Sequence, residues 1–391
     1  MANMANKRII YCFDGTWNEP DDQTNIHWLS QNIDHDGSSQ IVKYDAGVGT
    51  QWYDKISGGA LGAGLSHNVR QAYTFLLENY KPGDEIYLFG FSRGAYTARS
   101  LCGFIQLVGQ LADKDDVKKA HSYYHIFKQD NKDSLLEKIL VPKSVGPMPI
   151  KFIGVFDTVG ALGIPFEIKD RLMDDTDISL SDKIKNSIDK AGDWLRRPIK
   201  GFHNTNLGAN VESGYHALAI DERREIFRPC LWTKMPGEAV QFDTQHRIRK
   251  VPQQVEQVWF SGVHSDVGGG YNETEEHGRL ANIPLLWMIE KAMVTGLRFK
   301  NNTVTKLKQD RNTDASQHES FTNKLPFLHE INRPLRNEQR KTINPEGDLY
   351  PLVHTSESVH NSVQKRIGKR VRVIDKNGQF KNIHYDPLNL R

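Results

Sequence analysis

At 391 residues the chain is longer than one ordinary domain and shorter than three. A typical domain of about 150 residues implies two domains, or one large domain carrying insertions. Lys and Arg number 51 against 48 Asp and Glu, a net charge of +3, which excludes nucleic acid as a partner held by bulk charge. Apolar residues make up 38%, enough for a sizeable core. The cysteines Cys12, Cys102 and Cys230 stand in no C-x-x-C spacing, which argues against a disulfide framework or a thiolate zinc site.

The first residues run straight into Ile9-Ile10-Tyr11-Cys12-Phe13, too short an apolar run for a signal peptide. The longest apolar stretch, Leu101–Ala112, falls well short of the ~20 residues that cross a bilayer. The expectation is a protein made in the cytoplasm, exported if at all by a route independent of a signal peptide. Membrane contact is then peripheral.

Taken in order, Lys7–Phe13 reads as a buried strand that ends in the turn Asp14-Gly15-Thr16, and Gln40–Tyr44 as a second strand. Ser57–Gly64 reads as a glycine-rich loop, and Leu65–Tyr80 as a helix stopped by Lys81-Pro82-Gly83-Asp84. Glu85–Phe91 is strand-like and Arg93–Leu111 helical. Lys151–Phe156 and Val255–Val263 are further strands, ending at Asp157 and His264. Strands alternating with helices predict an α/β fold: a mostly parallel central sheet with helices on both faces. Two polar inserts, 113–149 and 169–210, interrupt the predicted catalytic domain of residues 1–300, and loops of that length act as lids or binding elements. In the second, Leu180, Ile184, Ile188, Trp194 and Leu195 make an apolar stripe that either packs on the body or meets a lipid surface as a lid. Residues 301–391 read as a C-terminal cap, with a hairpin over Arg370–Phe380.

Gly90-Phe91-Ser92-Arg93-Gly94 fits G-x-S-x-G between a strand and a helix, the context of a nucleophile elbow in α/β-hydrolases. Gly90 and Gly94 flank the serine because the strained turn has no room for side chains there. Ser92 is the candidate nucleophile, exposed at the carboxyl edge of the sheet. A serine needs a base, and the base an orienting acid, in the chain order Ser, Asp, His. Asp157 and His264 each follow a strand in that order. The alternative base is His216, in what reads as a helix interior and hence as a core histidine. Backbone N–H groups of Arg93 and of Gly15 or Thr16 are candidate oxyanion donors, with the Asp14 side chain bracing its turn.

Other motifs fail. Gly59–Ser66 has P-loop spacing, but Leu65 replaces the lysine. His264, Asp266, Glu273 and His277 suggest a metal site, yet no H-E-x-x-H is present, so neither a metal nor any other cofactor is expected. Lys365, Arg366, Lys369, Arg370 and Arg372 form a basic cluster, a solvated face that would also suit anionic head groups.

Six blocks together carry a resemblance. They are Phe13–Asn18, Asp45–Thr50, Gly90–Arg99, Phe156–Gly160, Tyr215–Glu222 and Val263–Tyr271. In that order they resemble the α/β-hydrolase domain of type VI secretion phospholipase effectors. The resemblance matches Ser92, Asp157 and His264 to the triad and implies hydrolysis of phospholipid acyl esters. It also implies secretion-machinery and immunity-protein partners. Two other readings are a metal-dependent hydrolase using 264–277 and a catalytically silent module that holds a lipid or a partner.

Overall fold

The computed structural model describes residues 6–15, 23–47, 60–111, 144–159, 207–224, 227–232, 236–243, 245–271, 279–320, 333, 341–343, 349–351, 356–375 and 378–387. Runs such as Ile9–Phe13 are apolar without alternation, which suits strands covered on both faces. Arg8–Phe13 (β1), Gln40–Asp45 (β2), Glu85–Phe91 (β3), Ile150–Phe156 (β4), Val211–Ala219 (β5), Gln254–Phe260 (β6) and Glu357–Val359 (β7) form one sheet. Its order is β7-β6-β5-β4-β3-β1-β2, and every pairing is parallel.

Side chains of a strand alternate between faces, and the two cores divide accordingly. Ile9, Tyr11 and Phe13 pack with Val69, Tyr73 and Leu76 of the helix Ala60–Asn79 and with Leu101, Phe104 and Ile105 of Ser92–Val108. Ile10 and Cys12 face the other way, towards Ile26 and Leu29 of the helix Asn25–Asn32 and Leu285, Met288 and Ile289 of Asn282–Val294. Both faces are thus covered by helices.

Several elements differ from expectation. The helix expected from Leu65 begins at Ala60, so most of the glycine-rich stretch is helical rather than a loop; glycine propensity is a weak prior that tertiary context overrides. Gly214–Ala219, expected as helix interior, lies in β5, an inner strand of the sheet. Its residues are buried on both faces, so the period-two signal that marks a strand is missing.

Residues beyond 300 take part in the main sheet. β7 pairs with β6 from Gln257↔Glu357 to Trp259↔Val359, and the Trp259 indole N–H donates to Glu357 at 2.9 Å. The antiparallel hairpin Arg370–Ile374 and Phe380–His384 helps to close a third core of Leu218, Ile220, Trp259, Val363, Val371, Val373 and Tyr385. Most of the inserts 113–149 and 169–210, with the apolar stripe Leu180–Leu195, lies outside the described residues.

The sheet order reverses direction at β1, with β2 on one side and β3 on the other. Such a switch point opens a crevice at the carboxyl ends of the strands. Ser92 follows β3 there, and Asp14-Gly15 follows β1. The helix that starts at Ser92 approaches β1 closely. A Cβ on Gly94 would stand 2.3 Å from the Phe13 carbonyl oxygen and 2.4 Å from that of Asp14. Both are backbone atoms that cannot swing aside. Gly94→Ala is therefore expected to cost about 1–3 kcal/mol by overpacking and to lower the midpoint of thermal denaturation followed by circular dichroism. An unchanged midpoint would show that the helix and β1 are not in this contact.

Candidate active site

Ser92 sits between β3 and its helix with φ +57°, a left-handed conformation that non-glycine residues adopt at a cost. A Cβ on Gly90 would meet the Ala95 Cα at 2.6 Å, so the turn needs glycine before the serine as well as after it. The sequence predicts an exposed hydroxyl. Ser92 is instead buried, 7% exposed, with the His264 ring on its Oγ.

His264 begins the short helix His264–Gly268 just beyond β6. Its Nε2 lies 2.8 Å from Ser92 Oγ, and its Nδ1 lies 2.6 Å from Asp157 Oδ2. An ionised carboxylate can only accept, so Nδ1 carries the proton and Nε2 is left to accept from the serine. The ring packs against those of Phe91 and Phe227, at centroid distances of 4.7 and 4.5 Å. Burial lowers the basicity of His264, and the neighbouring Asp157 opposes that effect without cancelling it. The imidazole is thus neutral at neutral pH, as a general base must be.

Asp157 follows β4 with φ +35° and is fully buried. Burial alone would raise its carboxyl pKa; Arg333, together with the His264 hydrogen bond, holds it below the usual range. Arg333 grips both carboxylate oxygens, Nη1 to Oδ1 at 2.7 Å and Nη2 to Oδ2 at 3.1 Å. Oδ1 also accepts the Ala219 backbone N–H at 3.1 Å. Sequence reasoning missed Arg333 altogether: it lies in no motif, and nothing in its neighbours marks it as a partner of a residue 176 positions earlier.

Further acids fix the backbone around the histidine. Glu222 accepts the His264 backbone N–H at 3.2 Å and pairs with Arg224 at 2.7 Å. Asp266 accepts the Val263 N–H at 3.0 Å and contacts His318 at 2.6 Å. Arg224 also stacks over Phe227, 3.9 Å from its ring centroid.

His216, the alternative base, is not brought to the serine. It is fully buried in β5, where Nε2 accepts the Thr158 N–H at 3.1 Å and Nδ1 faces Gln257 Oε1 at 3.4 Å. Of the oxyanion candidates, the Gly15 N–H is already donated to Asp14 Oδ1 at 2.7 Å, which corrects its expected role. Asp14 braces the turn as expected, accepting also from Thr24 at 2.5 Å and Tyr44 at 2.9 Å. Thr16 lies outside the described residues. Arg93 stands in the first helical turn, where backbone N–H groups have no intrahelical acceptor.

Glu273 and His277 lie outside the described residues, among which no group of His, Cys, Asp and Glu is arranged to hold a metal ion. In the basic cluster, Arg366 is buried and donates to the Thr313 and Ala315 carbonyls, whereas Lys365, Lys369, Arg370 and Arg372 are exposed. No helix among the described residues is long and apolar enough to cross a membrane.

A family model described as the catalytic domain of Tle1-like type VI secretion (T6SS) phospholipase effectors matches residues 7–291. Among curated proteins, an uncharacterized protein of Saccharomyces cerevisiae is 26% identical over 407 residues, which cover 77% of this chain and 59% of the yeast protein. Among solved structures, an uncharacterized protein from Pseudomonas aeruginosa aligns with TM-score 0.45 and 15% identity, covering 79% of this chain and 49% of that one. The Tle1 effector bound to the VgrG spike of the type VI secretion system aligns with TM-score 0.33 and 19% identity, covering 68% and 52%. The chain thus spans between about half and three fifths of the length of these proteins.

The environment of His216 predicts a pH dependence of stability. Burial, the largest cause, pushes its pKa down to about 3, whereas in the unfolded chain it protonates near the ordinary value of about 6.5. Below that pH the unfolded state binds a proton that the native state refuses, so stability falls with pH. The loss from this residue is on the order of 2 kcal/mol by pH 5. His216→Gln removes the titration, and urea midpoints at pH 7 and pH 5 should differ less in the variant than in the wild type. Equal differences would mean that His216 does not resist protonation in the fold.

Proposed function

The chain belongs to the Tle1-like catalytic-domain family of type VI secretion phospholipase effectors, and from that premise we propose that it is a serine hydrolase of phospholipid acyl esters. The observation that carries this reading is the continuous relay from Ser92 through His264 to Asp157. In it, His264 Nε2 takes the proton as Ser92 Oγ attacks the ester carbonyl carbon. The oxyanion of the tetrahedral intermediate is held by the Arg93 backbone N–H and by a second N–H from the turn after β1, assigned to Thr16. The imidazolium, stabilised by Asp157, then protonates the departing alcohol. Water enters by the same route in reverse and releases the fatty acid, with no cofactor consumed.

The family also carries proposals for the biology: export as a cargo of the secretion machinery, peripheral contact with the target membrane, and neutralisation by an immunity protein. These rest on membership alone.

Ser92→Ala and His264→Ala are both expected to fold normally and to release fatty acid from phospholipid vesicles more slowly by a factor on the order of 10⁴–10⁶. His216→Ala should chiefly lower thermal stability. Substantial fatty-acid release by Ser92→Ala would remove the serine from the mechanism, and a stable but inactive His216→Ala would move the base to β5.

A further inference from the structure

A hydrolase triad needs its acid ionised, hydrogen-bonded to the histidine and unable to turn. An isolated carboxylate buried as deeply as Asp157 would meet a desolvation penalty that favours its protonated form. Arg333, whose side chain is as fully buried as that of Asp157, forms a two-point ion pair with it, a geometry that lysine cannot reproduce. The same guanidinium donates to the Ala219 carbonyl at 2.9 Å and to the Phe227 carbonyl. Ala219 also supplies the N–H on Oδ1, and the Phe227 ring flanks His264. One side chain therefore ties together the acid, the strand end beside it and the wall of the base.

We propose that Arg333 is a positioning residue of the relay: by gripping both oxygens of Asp157 and offsetting its charge, it sets the acid end of the pH range in which His264 acts as base. This rests on the reading of Ser92, His264 and Asp157 given above. Among the described residues, the other charged or titratable groups around the pair are Glu222 and Arg224 from the segment after β5, His216 from β5, and Cys230. Of these, Glu222 is matched by Arg224. Without the guanidinium, a proton added to the Asp157–His264 pair gains stability on either residue, because in both cases a buried negative charge is offset. The pair must then protonate at higher pH.

The test is the pH profile of kcat/KM on a soluble short-chain ester for the wild type, Arg333→Gln and Arg333→Lys, with thermal midpoints measured alongside. Arg333→Gln is expected to move the acid limb upward by about one pH unit or more, and Arg333→Lys, which keeps the charge, to bring most of it back. A folded Arg333→Gln with the wild-type limb and only a lower midpoint would reduce Arg333 to a structural role and overturn the proposal. Should Arg333→Gln fail to fold, Arg333→Lys is compared with the wild type: its single contact point should leave the acid limb above that of the wild type, and identical limbs overturn the proposal. A wild type that hydrolyses no ester overturns the reading of the relay instead, and NMR titration of the His264 ring in the wild type and the folded Arg333 variant then decides the role of Arg333: a ring that titrates at higher pH in the variant supports it, and an unchanged ring overturns it.

Discussion

The site is organised around a negative charge buried away from solvent. Asp157 stands at the end of β4, fully buried, and its ionised form survives only because every direction it faces offers a donor. Burying a charge costs several kcal/mol unless it is paired and hydrogen-bonded. The pairing here draws on three distant parts of the chain: Ala219 from β5, His264 from beyond β6, and Arg333 from beyond residue 300. An ordered carboxylate fixes the tautomer of His264, and that tautomer leaves Nε2 as the acceptor for Ser92. Remove the carboxylate and the tautomer, the ring orientation and the state of the serine all lose their cause.

The sheet supplies what that charge requires. Parallel strands end together, so β3, β4 and β6 deliver Ser92, Asp157 and His264 to one edge, next to the switch point at β1. Two of the three residues, Ser92 and Asp157, take positive φ. Such strain persists only where the surroundings over-determine it, and the strands beneath are held by cores on both faces of the sheet. The close contact of Gly94 with the end of β1 fixes the serine helix against the turn that Asp14 braces.

Much of this was legible in the sequence, for physical reasons. The elbow is local: glycine, serine and glycine between an apolar strand and a helix leave few other readings. Asp157 and His264 were legible because strand ends are, and because chain order in this architecture constrains the choice. His216 reads as helical because a strand buried on both faces loses its alternation; its reading as a core histidine rests on burial, which the strand provides equally well. Gly15 was misjudged because the sequence shows a turn but not which carboxylate oxygen captures its N–H. Arg333 was invisible. A long-range ion pair has no period, spacing or flanking signature, and one arginine reads like another until the fold brings it to a carboxylate.

The central claim, that Ser92 is a nucleophile activated by a histidine held on a buried carboxylate, is tested most directly by treating the protein with a fluorophosphonate and mapping the adduct by peptide mass spectrometry. The account predicts a single phosphonyl adduct on Ser92, formed by the wild type and absent from His264→Ala. A folded protein with no adduct, or one modified at a different residue, would contradict it.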